Sequence, residues 1–230
     1  CLAAVYAPLD GMNDAGVSCG VYMTYQGPEG EVTATNQDTD KPDMTTTTFL
    51  RLVLDYADDL DEAVEIAQSY DMHDSAGTSY HYMVADASGR SAIFEWVAAD
   101  DDTDTDGSAR ELRVTYNDDD AAFGEVEAAA DYQWVTNFVL EPNYYASDDA
   151  KKGLDRYNEL YTRLSATDGI VADESAAMDV LAAVGRRSWN NDDANTITVH
   201  SVVYNLTDRV MYWVPNENFD DASAWITYKL

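Results

Sequence analysis

Cys1 carries a thiol and, at the head of the chain, a free α-amine. Together these would form a self-contained nucleophile and base. An α-amine with a pKa of about 7.7–8.0 takes up a proton near neutrality. A thiol of pKa about 8.5 is already partly thiolate there and intrinsically nucleophilic. The chemistry this pair suggests is attack on an amide carbonyl. In the competing reading Cys1 is an ordinary chain residue that happens to come first.

Other reactive side chains offer less. Cys19 is the only second cysteine, so neither a disulfide framework nor a zinc site follows, and both thiols are expected to be reduced. His73, His81 and His200 have no metal-ligand spacing and read as structural or exposed. Asp102-Thr103-Asp104-Thr105-Asp106-Gly107 begins like a calcium loop, but Arg113 stands where the closing glutamate belongs. That stretch reads as a solvated acidic hairpin tip. Asn205-Leu206-Thr207 fits a glycosylation acceptor and reads better as turn chemistry. Neither a glycine-rich phosphate loop nor a Gly-x-Ser-x-Gly elbow occurs. No metal and no cofactor is expected.

The elements that must position any site come from a chain of 230 residues, 46% of them hydrophobic, which is enough for one large domain, spanning 1–230, with a substantial core. A formal charge of −31 repels phosphate backbones and anionic bilayers, which excludes nucleic acid as a partner. No apolar run approaches the roughly 18–20 residues a membrane span requires. Lysine is confined to Lys41, Lys151, Lys152 and Lys229. Such an acidic surface would suit high salt or follow from codon bias, and codon bias is the preferred reading. The expected partner is a small-molecule amide; a homo-oligomer is left open, and the compartment is open with the cytoplasm slightly favoured.

Cys1–Ala7 reads as a strand, Pro8–Gly16 as a turn and Val17–Tyr25 as a returning strand, followed by a polar loop over 26–47. Phe49–Tyr56 and a segment from Asp58 to Tyr70 show helical periodicity, with Leu50, Val53 and Leu54 on one face of the first and Leu60, Ala63, Val64 and Ala67 on one face of the second. The period then changes to two. Tyr80–Asp86 and Ser91–Val97 form a hairpin, and Glu111–Tyr116 and Tyr132–Val139 read as further strands. Helices are expected over Asp155–Leu164 and Ser175–Val184, and a closing hairpin over Thr196–Tyr204 and Arg209–Val214. Strands and helices fall in blocks rather than alternating, which predicts an α+β fold of antiparallel sheets with helix pairs outside.

Several segments, in order, resemble one family. Asp10-Gly11-Met12-Asn13-Asp14-Ala15-Gly16 is similar to the "D-G-M-N-E-x-G-L" turn of choloylglycine hydrolases and related linear-amide C–N hydrolases. The helix pair with Leu54-Asp55-Tyr56 and Asp61-Glu62-Ala63, the hairpin from His81 to Ala92, Val135-Thr136-Asn137, Asp155-Arg156-Tyr157 and Ser201–Thr207 resemble its later segments. The resemblance implies an N-terminal-nucleophile (Ntn) hydrolase αββα four-layer sandwich. Its chemistry is attack by a cysteine thiolate on a linear amide through a thioester acyl-enzyme, as in bile salt hydrolases and penicillin V acylases. By the same resemblance, Asn137 is the amide donor to the oxyanion and Arg156 is the guanidinium beside the nucleophile. Met23, ten residues after Asn13, with its neighbour Tyr22, is placed at the acyl pocket, where a methionine favours an apolar acyl group.

The pattern breaks at the start. The family's Gly-Arg-Asn-x-Asp segment has no counterpart, Arg51 lies in a helix without that context, and the Asp-Gly-Met-Asn turn begins only nine residues after Cys1. Cys1 therefore aligns with the strand entering the turn and reads as a small core hydrophobe, a weak nucleophile candidate only. An N-terminal segment or chain bearing the nucleophile, together with its strands, is expected to be missing. The implied function is hydrolysis of linear amides in small N-acylated metabolites. The alternatives are an acyltransferase of the same fold and a non-catalytic ligand-binding member.

Overall fold

The computed structural model describes residues 6–26, 31–98, 104–118, 132–142, 144–146, 149–186 and 197–230. Cys1, Asp102 and Thr103 lie outside the described residues, as do most of the expected first strand and the start of the expected closing hairpin. The chain divides into two compact units, 1–154 and 155–230.

The first unit is built on a five-stranded antiparallel sheet in the order β1-β2-β5-β6-β7: β1 Asp10–Met12, β2 Ser18–Thr24, β5 Ser79–Ala85, β6 Ser91–Ala98 and β7 Arg110–Tyr116. The expected turn at 8–16 is narrower than the sequence suggested. Asp10–Met12 pairs with Ser18–Gly20, and only Asn13–Gly16 reverses the chain. The Asn13 carboxamide is the reason. Its oxygen accepts from Val17 N at 2.9 Å, closing the turn, and its nitrogen donates to Ala57 O at 2.7 Å. One side chain thus shapes the hairpin and ties it to the end of the first helix.

That helix, α1, spans Thr46–Tyr56, and α2 spans Leu60–Ser69. Phe49, Leu50 and Val53 recur at helical spacing, as do Leu60, Ala63, Val64 and Ala67. They pack on Cys19, Tyr82, Val84, Ala92, Phe94 and Trp96, which share one sheet face because strand side chains alternate. Phe49 meets Tyr82 edge-to-face at 5.0 Å. Asp59 caps α2 by accepting from Glu62 N at 3.0 Å, and Asp86, in the β5–β6 turn, accepts from Leu60 N at 3.1 Å. The turn of one hairpin therefore supplies an acceptor to the helix packed on it.

Two expectations are corrected in this unit. The loop expected over 26–47 contains β3, Asp43–Thr45, which pairs in parallel with β4, Asp71–His73. Each strand is three residues long, too short to show an alternation. Tyr132–Val139, expected as a strand, joins no ladder and has a single parallel bridge, Tyr25 to Phe138. Its buried apolar residues imitate a strand, but its Thr136 carbonyl and Val139 N–H are met by side chains, and a main-chain bond joins it to the sheet only at Tyr25 among the described residues.

The second unit holds α3 Leu154–Ser165, which starts at the last residue of the first unit, α4 Glu174–Val184, and an antiparallel sheet in the order β10-β9-β8. Strands β8 His200–Asn205 and β9 Val210–Pro215 form the closing hairpin, and β10 Ile226–Lys229, which periodicity did not reveal, is exposed along its length. Asn205 Oδ1 accepts from Asp208 N at 2.9 Å, the turn role expected of it. Met178 of α4 is buried with Val214 and Phe219. Among the described residues, no helix is long and apolar enough to cross a membrane.

Gly89 and Gly107 both have positive φ, but a Cβ on Gly89 meets open space whereas one on Gly107 overlaps the Ala34 carbonyl oxygen. Gly89→Ala should therefore cost about 1 kcal/mol and Gly107→Ala at least about twice that, read by denaturant unfolding. Burial pushes the Asp86 carboxyl up, but hydrogen bonds from Ser88 and Leu60 outweigh it and hold it below its ordinary value. A depressed folded pKa is stabilising above the unfolded value, about 3.9, and that stability is lost as pH falls through the folded one. Asp86→Asn should lower stability at pH 7 and flatten the acid limb of a stability–pH curve; an unchanged limb would refute the assignment.

Candidate active site

The site is built on the sheet face away from the helices. Because Tyr82 and Phe94 point toward the helix-side core, His81 and Glu95 point the other way, and the β5–β6 register sets them directly opposite each other. A strap over 132–141 runs across this face. Ser91 Oγ donates to Gln133 Oε1 at 2.7 Å, and Gln133 Nε2 donates to Thr115 O at 2.9 Å, fixing its start. His81 Nε2 lies 3.0 Å from Thr136 O, and Glu95 accepts from Leu140 N at 2.9 Å and Glu141 N at 3.1 Å.

The protonation of this pair follows from its partners. A carbonyl oxygen only accepts, so His81 Nε2 carries a hydrogen. His81 Nδ1 is 2.9 Å from Glu95 Oε1, and one proton lies between them, as imidazolium with carboxylate or as imidazole with carboxylic acid. His81 is 0% exposed and Glu95 3%. Removing one partner of such a buried pair leaves the other uncompensated, at a cost of about 3–5 kcal/mol.

Asn137 lies between the strap's two anchors. Its side-chain Nδ2 donates to Met23 O at 2.7 Å, and its main-chain carbonyl accepts from Tyr25 N at 2.9 Å. Met23 lies on the edge of β2 beyond Gly20, where pairing with β1 ends, and Tyr25 directly follows the strand. Tyr145 Oη donates to Tyr25 O at 2.5 Å and accepts from Val139 N at 2.9 Å, closing the same corner. An amide nitrogen has two hydrogens. The bond to Met23 sets the plane of the amide and thereby the direction of the second hydrogen.

The structure brings Asn137, Met23 and Tyr22 to one end of β2. Tyr22 is edge-on to His81 at 6.0 Å between ring centres, and its hydroxyl lies over Gly20. Although 38% of Tyr22 is exposed, burial of the phenol and the nearby Asp10 push its pKa up to about 12. Cys1 lies outside the described residues. Arg156 belongs to the second unit, in the first turn of α3. There burial, and then Arg186, hold its guanidinium below its ordinary pKa against the pull of Asp155. Glu159, one structural partner the sequence allowed it, accepts from Arg163 Nε at 2.7 Å. Arg51 pairs with Asp55 on α1.

The acidic hairpin tip expected at 102–107 is corrected where it is described. Asp104 is buried and accepts from the buried Arg110 Nε at 3.2 Å, and Arg110 Nη1 reaches Ser79 Oγ at 3.2 Å. His73 is half-buried beside Asn36 and Asp43, and His200 is half-buried in β8. Among the described residues, no three His, Cys, Asp or Glu side chains cluster as metal ligands. Sequence reasoning missed the pairing of His81 with Glu95. The signal was available in the predicted hairpin: setting Ala85 opposite Ser91 sets His81 opposite Glu95.

The fold is of the Ntn-hydrolase class. Penicillin V acylase from Agrobacterium tumefaciens is similar over 91% of this chain, at 16% identity and a TM-score of 0.56. Two variants of the conjugated bile acid hydrolase from Clostridium perfringens are similar over 97% of it, at 15% and 16% identity and TM-scores of 0.58 and 0.59. The match spans 63% of the acylase chain, under two thirds of its length, and 77% of the hydrolase chains. The family model for acyl-coenzyme A:6-aminopenicillanic acid acyl-transferase matches residues 5–219, and the chain belongs to that family. No curated protein matches the chain.

Cys19 is a free, buried thiol in the helix-side core, and burial together with Asp10 pushes its pKa well up. A thiol so placed is inert. In the native protein at pH 8, peptide mapping after iodoacetamide treatment should find Cys19 unmodified, and full labelling should appear only on unfolding. Native labelling of Cys19 would refute its assignment to the closed core.

Proposed function

We propose that the protein cleaves a linear amide C–N bond of a small N-acylated metabolite through a cysteine thioester. The thiolate attacks the amide carbonyl carbon, the oxyanion is stabilised by the Asn137 amide, and the amine leaves as it takes a proton. Water then cleaves the thioester, releasing the acid and restoring the thiol. The observation that carries this reading is the Asn137 amide, held 2.7 Å from the Met23 carbonyl at the end of β2. An oxyanion donor acts by being fixed before charge develops, and membership of the family supports the rest. Arg156 keeps its assignment as a guanidinium of the kind that favours a thiolate. Tyr22, on the His81 face, is assigned to the acyl pocket; Met23, assigned there from the sequence, takes the opposite face of β2 and meets the site through its carbonyl. The thiolate is that of Cys1 or of a cysteine on a further segment; the burial of Cys19 argues against it.

The family's own description favours a second reading, in which an amine rather than water intercepts the thioester. Incubation with phenoxymethylpenicillin or a glycine-conjugated bile acid should release free acid. With the bile acid conjugate as donor, added 6-aminopenicillanic acid should leave that product unchanged if water is the acceptor and divert it to a new amide if an amine is. Saturable binding without either product would overturn both readings. Asn137→Ala should lower kcat about 10²–10³-fold, with a smaller change in KM.

A further inference from the structure

We infer that the buried His81–Glu95 pair is a positioning device for the Asn137 amide, an inference that rests on the oxyanion reading of Asn137. The strap belongs to no ladder, so its buried N–H and C=O groups need other partners. The pair supplies them at two points that bracket Asn137. His81 takes Thr136 O, the residue before it, and Glu95 takes the N–H groups of Leu140 and Glu141 beyond it. The arc between these anchors is tied in its middle to β2 through Met23 O and Tyr25 N. It is therefore held from two directions, by the two adjacent strands β5 and β6 and by the edge of β2.

The rigidity comes from the sheet. His81 and Glu95 are cross-strand neighbours on β5 and β6, which are flanked by β2 and β7. Their shared proton fixes the imidazole plane, and the imidazole fixes the Thr136 carbonyl. A merely structural pair would satisfy buried backbone groups with no effect on the amide between them. A positioning pair transmits its loss to Asn137.

Two readouts separate these roles. The ¹⁵N–¹H signals of the Asn137 carboxamide, assigned by their disappearance in Asn137→Asp, should shift or broaden in folded Glu95→Ala and His81→Ala. They should stay near wild type in Glu95→Gln, whose carboxamide can accept from Leu140 N and donate to His81 Nδ1. Misplacement of a catalytic group by about 1 Å costs about 10²-fold, so kcat should fall about 10–100-fold in the alanine variants. KM should change less than about threefold, and Glu95→Gln should restore kcat to within about threefold of wild type. Adding Glu95→Ala to Asn137→Ala should bring no further loss of kcat. Should the alanine variants not fold, Glu95→Asp, one methylene shorter, should still displace the Asn137 signals with the helix-pair signals in place. Unchanged Asn137 signals in a folded Glu95→Ala or Glu95→Asp variant would overturn the positioning role, as would an equal loss of kcat in the Asn137→Ala background. If Asn137→Ala keeps full kcat while Glu95→Ala still moves the Asn137 signals, the oxyanion reading fails and the positioning role stands.

Discussion

The buried His81–Glu95 pair is the central tie between the strap and the regular strands of the first unit, with Gln133 and Asn137 fixing it on either side. The helix-side face of the sheet needs no such device along its length, because α1 and α2 satisfy their backbones internally except at their ends, where Asn13, Asp59 and Asp86 supply partners, and the faces they pack on the sheet are apolar. The opposite face carries a strap that pairs with no strand over most of its length. Backbone of this kind stays in a dry interior only if side chains take the place of a ladder. A carboxylate suits the task because its two oxygens can receive adjacent N–H groups, as Glu95 receives Leu140 N at Oε1 and Glu141 N at Oε2. The imidazole complements it by donating to a carbonyl.

The same solution recurs elsewhere in the unit. Asp71 receives the amide and hydroxyl of Thr39, and Asp74 receives Thr35 N at 2.9 Å. Asp104 receives Ala109 N at 3.2 Å while paired with Arg110. Asp86 receives Leu60 and Ser88. The electrostatic outcome depends on the surroundings. Burial pushes Asp71 up, but its bonds from Thr39 hold it below its ordinary value, whereas burial dominates at Asp74 and raises it. In a chain of formal charge −31 these few acids are structural. Composition alone treats every carboxylate as surface charge and cannot separate them from the rest.

Much of the fold was legible because its regular elements obey a period. The α1 and α2 faces, the β5–β6 hairpin and the β8–β9 hairpin all lie within a few residues of where the spacing of apolar residues puts them. The failures share a cause. The segment at 132–139 has a strand's apolar content without a strand's partners, β3 and β4 are too short to show alternation, and Asp104 looked solvated because its neighbours in sequence are acidic. Each depends on a partner that periodicity does not show: Glu95 for Leu140 and Asp71 for Asp43, both distant in the chain, and Arg110, six residues on across a turn, for Asp104.

The candidate site divides along the same line. The sequence alone determined the order of the segments, the family they belong to, and the identities of Asn137, Met23 and Tyr22 as residues of interest, because residue type and order are carried by the chain. Only the tertiary structure decided that the Asn137 amide is bonded to the Met23 carbonyl and bracketed by His81 and Glu95. Those contacts join β2, β5, β6 and the strap. Hydrogen bonds of this range depend on how strands pair and which face a side chain takes, and neither is settled until the sheet has formed.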